Sequence, residues 1–371
     1  MSRLPASTDL FVIGGGPAGL AAAIAARRRG FDATVADHAA PPIDKACGEG
    51  IMPDGVAAAA ALGIRLEDGG ALAFRGIRFC EGDVAVEAEF PSGAGLGIRR
   101  TALHQSMARH AADCGVRVAW GTRVTGLTAR GVETDGGAVR ARWIVGADGG
   151  DSTVRRWAGL DASVRESRRY GFRRHYRMAP WTDFMELHWS DGCQIYITPV
   201  SGEEVCVALL SGDPRLRLDE ALPRFPEVQR RLRGAEPASA ERGAVTASRR
   251  LRRVYRGNVA LVGDASGSVD AITGEGMCLL FQHALALGAA MEVDDLRLYQ
   301  AAHRRAGQRP RMMASLMLLL DRQRGLRGRA LRALASRPRL FRRMLAMHVG
   351  ELSAVDFAAN GLALGWRMLT L

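Results

Sequence analysis

The first forty residues combine apolar runs with a glycine-rich turn. The largely apolar “DLFVI” (residues 9–13) is followed at once by “GGGPAG”. The alanine-rich stretch Leu20 to Arg29 then ends at Gly30, and a second short strand-like segment, “DATVAD”, ends at Asp37. Continuous apolar runs of this length are typical of strands covered on both faces, and the alanine-rich stretch is typical of a buried helix. The pattern predicts a β-α-β unit.

The middle of the chain has a different pattern. From about Arg168 to Ser248, apolar and polar residues alternate in “MELHW”, “QIYITPV” and “EVCVALL”. Alternation with a period of two predicts strands of a sheet with one covered face. The segment “NVALVGDASGSVDAITGEGM” then returns to a buried strand, a loop and a helix. Beyond about Arg304 the sequence is helical, amphipathic and basic, so we expect a first domain that is interrupted by an inserted sheet.

The glycine turn carries a dinucleotide fingerprint, GxGxxG. Its first glycine permits the tight turn, its second lets phosphate approach the backbone, and its third lets helix and strand pack closely. Proline in the first helical turn costs no hydrogen bond, and the helix N-terminus offers unpaired N–H groups to a pyrophosphate. An acid about twenty residues further on would accept the ribose hydroxyls. The predicted dinucleotide contacts are Gly14, Gly16, Pro17, Ala18, Gly19 and Asp37.

Composition argues against several classes of protein. The 371 residues carry a formal net charge of +12, and residues 301–371 hold 11 more basic than acidic side chains. No groove-reading motif accompanies this charge, so we expect no nucleic acid partner. The six cysteines lack CxxC and CxxH spacing, which argues against a metal site and a disulfide framework and favours a reducing cytoplasm. We expect no signal peptide, and “MMASLMLLL” is too short to span a bilayer.

Three motifs occur in order along the chain. They are GxGxxG with Asp37, “GADGGDSTVR” from Gly146 to Arg155, and “GD…GEG” from Gly263 to Gly276. Together they resemble the flavoprotein monooxygenase superfamily with the p-hydroxybenzoate hydroxylase fold, over roughly residues 8–300. The resemblance implies bound FAD and an α/β fold. That fold has a discontinuous Rossmann-like FAD-binding domain of glutathione-reductase type, an inserted antiparallel β-sheet substrate domain, and C-terminal helices.

The resemblance also implies domain bounds and further flavin contacts. The FAD-binding domain would comprise residues 1–73, 98–165 and 254–303, the substrate domain residues 74–97 and 166–253, and the C-terminal helical region residues 304–371. Beyond the fingerprint, the flavin contacts would be Cys47, Gly48, Arg100, Val124, Asp148, Gly263, Asp264, Gly274, Glu275, Gly276 and Met277.

The resemblance implies a specific role in cofactor binding for several of these residues, and for three residues a second interpretation stays open. Asp264 would accept hydrogen bonds from the ribityl chain, and the helix that follows would direct its positive end at the flavin pyrimidine. Arg100 is either a flavin or pyrophosphate contact or an exposed helix-capping cation. Cys47 is either a neighbour of the flavin ring or a buried small apolar residue. Arg155 either pairs structurally with Asp148 or contacts NAD(P)H.

The loop before the last helix does not identify the reaction. Hydroxylases of this superfamily usually read GDAAHxxxPxxGxGxN, whereas this chain has Gly267, Ala271 and Cys278 at the His, Pro and Asn positions. Geranylgeranyl-reductase-like proteins are similar in GDAAG, in GEG and in a Cys-Gly stretch such as “KACGEG”, but “QIYITP” lacks two aromatics of their YxWxFP strand. Flavin halogenases need a pocket lysine. Arg75 stands at the matching position and cannot form a chloramine, because arginine keeps its proton.

We therefore expect an enzyme, and favour an FAD-dependent monooxygenase. It would hydroxylate an aromatic, polyketide or phenolic-lipid-like small molecule, with NAD(P)H as a transient electron donor and O2 reacting through a flavin C4a-hydroperoxide. One alternative is an FAD-dependent alkene reductase of the geranylgeranyl-reductase type, acting on an isoprenoid or lipid. The other is a flavin electron-transfer protein without oxygenase activity.

Strand alternation suggests the catalytic side chains. In “GCQIYITPV” it places Gln194, Tyr196 and Thr198 on one face. On that face Tyr196 would hydrogen-bond a phenolic substrate, and His175 or His188 would help to deprotonate it. The alternative for each histidine is an exposed or structural role.

The basic C-terminal segment leaves two interpretations open. It either packs over the substrate domain with its arginines solvated, or forms an interfacial helix that touches anionic lipid. The expected protein is therefore cytoplasmic, with a possible peripheral membrane contact. Its partner would be a small hydrophobic or aromatic substrate, and the protein itself a monomer or a homodimer.

Overall fold

The computed structural model describes residues 4–350, apart from the side chains of residues 164–166. The strands are β1 Ser7–Ile13, β2 Ala33–Asp37, β3 Gly50–Ile51, β4 Leu72–Phe74, β5 Gly76–Glu81, β6 Val84–Glu89, β7 Gly95–Gly97, β8 Arg117–Trp120, β9 Val124–Thr128, β10 Gly131–Thr134, β11 Gly137–Gly146, β12 Ser163–Arg177, β13 Phe184–Ser190, β14 Cys193–Ser201, β15 Glu204–Ser211, β16 Glu236–Pro237, β17 Arg242–Leu251, β18 Tyr255–Arg256 and β19 Val259–Leu261. The helices are α1 Pro17–Arg27, α2 Pro53–Ala61, α3 Arg100–Asp113, α4 Thr153–Trp157, α5 Leu218–Ala221, α6 Pro226–Arg231, α7 Gly276–Glu292, α8 Leu296–Ala306, α9 Gln308–Arg322, α10 Arg324–Ser336 and α11 Pro338–His348.

The first sheet brings the three sequence motifs to one edge. Its strand order is β18-β19-β11-β1-β2-β8, and the five strands from β19 to β8 are parallel. Ile13 pairs with Gly146, and Gly146 pairs with Leu261, so the glycine turn, the “GADGG” turn and the loop after β19 leave the sheet side by side. In open parallel sheets, ligands bind at the carboxyl ends of the strands.

The second sheet is built from two separated parts of the chain. Its order is β16-β12-β15-β14-β13-β5-β6, and β17 pairs with β12 on the same side as β16, opposite β15. Most pairs are antiparallel, as predicted, but β13 and β5 run parallel. The parallel pair arises because the β5-β6 hairpin belongs to the earlier segment and joins the edge of the inserted sheet. The predicted α/β fold class, with its discontinuous Rossmann-like domain, is confirmed.

The apolar residues form separate cores on the faces of the two sheets. Helix α1 is almost entirely buried because it packs between the first sheet and the helices α3 and α7. Ile195 and Ile197 on β14 pack in one cluster with Leu218, the first residue of α5, and Phe225, which directly precedes α6. The opposite face of β14, which carries Tyr196, is therefore left to face the first domain.

The C-terminal helices pack on the second sheet. Helices α10 and α11 contact β6, and the ring of Phe341 lies 4.9 Å from that of Phe79, centroid to centroid. The apolar side chains Met313, Met317 and Leu320 of α9 are buried. Among residues 4–350, no helix has the length and apolarity needed to cross a membrane. The last part of the predicted helical region, residues 351–371, lies outside the described residues.

Candidate functional site

The parallel strands open into a cavity of about 1030 Å³ that extends to the second sheet. Its first wall consists of the glycine turn, the “GADGG” turn and the loop before α7, and the segment Lys45–Gly50 closes one side. A cavity of this size is at the upper end of the range, about 300–1,000 Å³, that holds small molecules and cofactors. The wall formed by the second sheet includes Phe172, Met185, Tyr196, Leu209, Leu210 and Val245.

The glycine turn is tight on one side and open on the other. A Cβ at Gly14, whose φ is +110°, would lie 2.4 Å from the carbonyl oxygen of Ala147, and a Cβ at Gly19 would lie 1.9 Å from that of Gly14. A Cβ at Gly16 would meet no atom within 4 Å, so the space above this residue is open. Asp37 holds the turn by accepting a hydrogen bond of 2.7 Å from the Gly15 amide. This carboxylate keeps acceptor sites for a further ligand.

A buried histidine that sequence analysis did not identify fixes the same turn. His104 on α3 is fully buried, and its Nε2 lies 2.9 Å from the Gly15 carbonyl oxygen. Its Nδ1 accepts from the amide of Ile43 at 3.4 Å, which leaves Nε2 as the protonated donor. Burial lowers the pKa of His104, so the neutral ring is the stable form. His104 lies four residues after the predicted contact Arg100, one helical turn away, and this spacing is the signal that could have indicated it.

Arg100 presents an incompletely satisfied cation to the cavity. Its backbone amide donates to Glu49 Oε1 at 2.9 Å, and its Nη1 lies 3.3 Å from the sulfur of Met277. Its Nε is buried and has no hydrogen-bond partner among the described residues. A guanidinium with an unpaired buried N–H is suited to an anionic ligand. This placement favours the ligand-contact interpretation of Arg100 over the exposed cap.

The loop before α7 combines an acid with open backbone. Asp264 accepts a hydrogen bond of 2.6 Å from Lys45, the only lysine of the chain. Burial opposes ionisation here, but the Lys45 ammonium outweighs it and lowers the pKa of Asp264. Gly274 has a φ of +68°, and a Cβ at Gly276 would meet no atom within 4 Å. Helix α7 therefore begins with its N-terminus free of side-chain caps and open to the cavity.

Residues 7–293 match the family model of an FAD binding domain. The chain belongs to this FAD-binding family. The predicted FAD-binding flavoprotein fold is therefore confirmed, and the protein is an FAD-dependent oxidoreductase. The match begins at β1, spans strands of both sheets and ends directly after α7.

Similar proteins have different reactions. The chain is 29% identical to menaquinone reductase of Mycobacterium tuberculosis over 299 residues, 73% of each chain. It is 28% identical to digeranylgeranylglycerophospholipid reductase of Methanosarcina acetivorans, over 72% of this chain and 71% of that protein. It is also 28% identical to an FAD-dependent urate hydroxylase of Klebsiella pneumoniae, over 75% and 80% respectively.

Solved structures share the fold at lower identity. The flavin-dependent brominase Bmp2 has a TM-score of 0.80 at 17% identity and covers 98% of this chain and 100% of its own. A flavoprotein/dehydrogenase from Cytophaga hutchinsonii has a TM-score of 0.79 at 19% identity, with 93% of each chain covered. In this chain Arg75 is not among the cavity residues. It donates to Asp183 at 2.7 Å and stacks on Phe184, 4.4 Å from the ring centroid.

The cavity fits FAD at several independent points. The open space above Gly16 and Gly276 and the unpaired Nε of Arg100 are features that an extended diphosphate-containing cofactor would fill. Of the predicted cofactor contacts, Gly19 and Glu275 lie behind the cavity surface. Those that line it are Gly14, Gly16, Pro17, Ala18, Asp37, Cys47, Gly48, Arg100, Val124, Asp148, Gly263, Asp264, Gly274, Gly276 and Met277.

Of the two interpretations of Arg155, the pairing with Asp148 is wrong. Asp148 turns back to the start of α4, where its carboxylate accepts from the amide of Thr153 at 2.7 Å and from the hydroxyl of Ser152. Arg155 is buried and pairs instead with Asp161 at 2.6 Å, while Nη1 donates to the Ala265 carbonyl at 3.2 Å. It thus connects the “GADGG” turn with the loop before α7 and has a structural role.

The candidate acid-base side chains are bound to protein groups. His188 lies outside the cavity, 2.9 Å from the carboxylate of Glu186. Tyr196 lines the cavity, but its hydroxyl donates to the Ile272 carbonyl at 2.7 Å, and burial raises the pKa of Tyr196 far above its ordinary value. His175 is fully buried behind the segment Lys45–Gly50.

His175 belongs to a buried network centred on Glu49. Arg173 can only donate, so the Nδ1 of His175 accepts from it at 3.1 Å and also from Ser239 at 2.8 Å. The Nε2–H of His175 then donates to Glu49 Oε2 at 2.6 Å. Arg173 also pairs with Asp44 at 2.5 Å. The network fixes the segment Lys45–Gly50 on β12. Because both ring nitrogens of His175 have partners in it, neither is free to accept a proton from a substrate.

His283 is a second cavity residue that sequence analysis did not identify. It lies on α7, is 4% exposed, and lines the cavity. Neither ring nitrogen has a hydrogen-bond partner among the described residues. Burial and the neighbouring His303 lower the pKa of His283 well below its ordinary value, so the ring is neutral. A neutral imidazole can donate from one nitrogen and accept at the other.

Glu275 is buried beside further ligand-type atoms. One carboxylate oxygen each of Asp54 and Glu275 and the sulfur of Cys278 lie within 4.8 Å of one another, and His348 Nε2 lies 3.3 Å from Glu275 Oε1. Cysteine spacing could not have predicted this group, because its members come from different helices and a turn. Burial raises the pKa of Glu275 well above its ordinary value, and Asp54 adds to the effect. Burial and the Asp54 carboxylate thus both favour the protonated form of Glu275.

Replacing Glu275 with glutamine should change the pH dependence of stability. A carboxyl whose pKa is raised by folding stabilises the protein fully below its unfolded-state pKa and loses this contribution as pH rises. Wild type and Glu275→Gln should have similar free energies of unfolding near pH 4.5. Above that pH, the free energy of unfolding of wild type should decrease relative to that of the variant by up to about 1.4 kcal/mol per pH unit. Urea unfolding between about pH 5 and pH 8 measures the difference. The exposed control Glu203→Gln should show no such slope. A constant offset for Glu275→Gln would contradict the buried neutral acid.

Proposed function

We propose that the protein is an FAD-dependent reductase of an isoprenoid-type lipid. FAD, once bound and reduced, supplies the hydride, and we propose NAD(P)H as the source of its electrons. The observation that carries the proposal is the wall of the second sheet, where Met185, Tyr196, Ala208, Leu210 and Ala244 line the cavity. Such a wall suits an apolar chain, since each buried CH₂ group contributes about 0.8 kcal/mol to binding.

The polar side chains near this wall are suited to orienting a substrate and not to deprotonating it. A phenol hydroxylase benefits from a base that deprotonates its substrate, but His175 and His188 are bound to Glu49 and Glu186. His283 is free to hydrogen-bond a carbonyl or hydroxyl at the polar end of a lipid. Two relatives, menaquinone reductase and digeranylgeranylglycerophospholipid reductase, are named after lipids that carry isoprenoid chains. We therefore place reduction ahead of the hydroxylation favoured by the sequence.

Hydroxylation is the second candidate. The urate hydroxylase relative supports it, because the match covers 80% of that protein, a larger share than for either reductase. On the same cavity, a monooxygenase would use O2 and would insert one oxygen atom into an aromatic substrate. The apolar wall would then enclose the ring and exclude water during the reaction.

Anaerobic turnover distinguishes the two candidates. The FAD-loaded protein is reduced without oxygen and mixed with menaquinone or an isoprenoid alkene in detergent micelles. We expect the visible absorbance of oxidised flavin to return, and mass spectrometry of fragments to show that the isoprenoid chain of the product has gained two hydrogen atoms across one double bond. His283→Phe should slow this step roughly tenfold, the loss expected for one hydrogen bond, with unchanged flavin content. Reduced flavin that persists until O2 is added, together with a phenol that gains one oxygen atom, would overturn the proposal in favour of a hydroxylase.

A further inference from the structure

A second, smaller pocket lies next to the main cavity. Its volume is about 250 Å³, and it is formed by the end of β17, the turn after β19, and the facing sides of α8 and α9. Gln300, His303 and Ser266 contribute polar groups to its wall. The remaining polar side chains are dominated by five arginines, namely Arg249, Arg250, Arg252, Arg304 and Arg311.

The positive charges of four of these arginines are not balanced by the described residues of the pocket. No aspartate or glutamate of the described chain lines it, and Arg250, Arg252, Arg304 and Arg311 form no ion pair with any described residue. The Arg304 guanidinium donates to the Arg252 carbonyl at 3.0 Å. The Nε of Arg311 is buried without a partner among the described residues. Like charges this close repel one another, and an anion between them would remove the repulsion.

The backbone is shaped to bring Arg311 into the pocket. A Cβ at Gly307 would lie 2.3 Å from Arg311 Nη2, so the absence of a side chain at Gly307 lets the guanidinium fold back over the start of α9. Burial and the nearby Arg250 lower the pKa of Arg311. The site therefore holds a guanidinium in a position that is unfavourable until a negative charge is bound.

The pocket and the main cavity share a wall. Arg249 lines both. His303 lines the pocket and stacks on His283 of the main cavity, with ring centroids 4.0 Å apart. The Nε2 of His303 lies 2.9 Å from the Ser266 hydroxyl, which fixes the ring in this stack. An anion in the pocket would thus be held one side chain away from the space assigned to flavin and substrate.

We propose that this arginine pocket, defined by Arg249, Arg250, Arg252, Arg304 and Arg311, binds the phosphate of an organic phosphate that serves the flavin reaction. The planar guanidinium donates two parallel hydrogen bonds to phosphate oxygens, which makes clustered arginines suited to phosphate. The phosphate belongs either to NADPH or to an isoprenoid diphosphate. The site does not depend on whether the flavin reduces a lipid or activates O2.

Calorimetric titration with sodium pyrophosphate tests the pocket without turnover. The FAD-loaded protein should bind pyrophosphate, and Arg252→Gln with Arg304→Gln should weaken binding at least roughly tenfold, as expected for two charge-assisted contacts. The matched control is Arg253→Gln with Arg305→Gln, which changes the adjacent exposed arginines outside the pocket. It should change affinity less than about twofold, the small effect expected of rim charges. Equal weakening in both double variants, or no binding by wild type, would overturn the proposal. Unchanged thermal unfolding and flavin absorbance verify folding.

Competition identifies the source of the phosphate. If NADPH is the ligand, it displaces pyrophosphate better than NADH, and the pocket variant raises KM for NADPH but not for NADH. If the ligand is an isoprenoid diphosphate, geranylgeranyl diphosphate displaces pyrophosphate and NADPH does not. Displacement by neither compound would overturn the assignment to an organic phosphate. Because pyrophosphate binding is measured without turnover, its loss can be told apart from a failure of the proposed reductase reaction.

Discussion

Replacing Glu49 with alanine should lower the free energy of unfolding by about 3–5 kcal/mol, the cost of breaking a buried ion pair by removing one partner. The carboxylate is fully buried and accepts from His175 Nε2 and from the backbone amide of Arg100, and Arg173 Nε lies 3.8 Å away. Its removal would leave the Arg173 charge with Asp44 alone. The segment Lys45–Gly50, which closes one side of the cavity, would lose its bond to His175 on β12 and would keep the contact from Arg173 to the Lys45 carbonyl at 3.5 Å.

The backbone at Glu49 allows this effect to be separated from strain. Its φ is +60°, in the left-handed region that costs a residue with a side chain about 1 kcal/mol. Glu49→Gly loses the same network but relieves the strain, so it should be more stable than Glu49→Ala by about 1 kcal/mol. The exposed control Glu203→Ala should be nearly neutral. Urea unfolding measures all three, and a loss below about 1 kcal/mol for Glu49→Ala would show that the network contributes no more than an ordinary hydrogen bond.

The features that sequence analysis predicted are those set by local pattern. The glycine turn, the acid at Asp37 and the “GEG” loop each follow a buried parallel strand, and sheet geometry alone brings the ends of such strands together. The alternation in β14 likewise placed Tyr196 on the cavity face and Ile195 on the other. These inferences need only the period of a strand and the conformational freedom of glycine.

The features that it missed depend on contacts between distant positions. His175 has the chemistry of a base, but its partner Glu49 lies 126 positions earlier, and this contact commits its proton. His283 and His303 stack across two helices, and neither has a sequence motif of its own. One of the two interpretations of Arg155 paired it with the acid of its own motif, whereas that acid binds the start of α4 and Arg155 pairs with Asp161. Competition between local and distant partners decides these cases.

The largest effect on cofactor binding should come from a single methyl group at Gly16. Gly16 has a φ of −66° and a ψ of 173°, which alanine adopts without strain, and the added Cβ would meet no protein atom within 4 Å. The apoprotein should therefore fold with unchanged stability. The methyl group would occupy the space through which pyrophosphate reaches the α1 N-terminus. We expect FAD to bind roughly 10- to 100-fold more weakly, or about 1.4–2.7 kcal/mol.

Two matched glycine variants make the test at Gly16 specific. A Cβ at Gly212 is equally unobstructed but lies away from the cavity, so Gly212→Ala should bind FAD as wild type does. A Cβ at Gly19 would lie 1.9 Å from the Gly14 carbonyl oxygen, so Gly19→Ala should lower the melting temperature of the apoprotein as well as its affinity. Fluorescence titration of FAD with apoprotein, combined with thermal unfolding, gives both quantities. Unchanged affinity in Gly16→Ala would mean that the cofactor diphosphate does not approach this turn, because no other consequence of the added methyl group could compensate for the lost space.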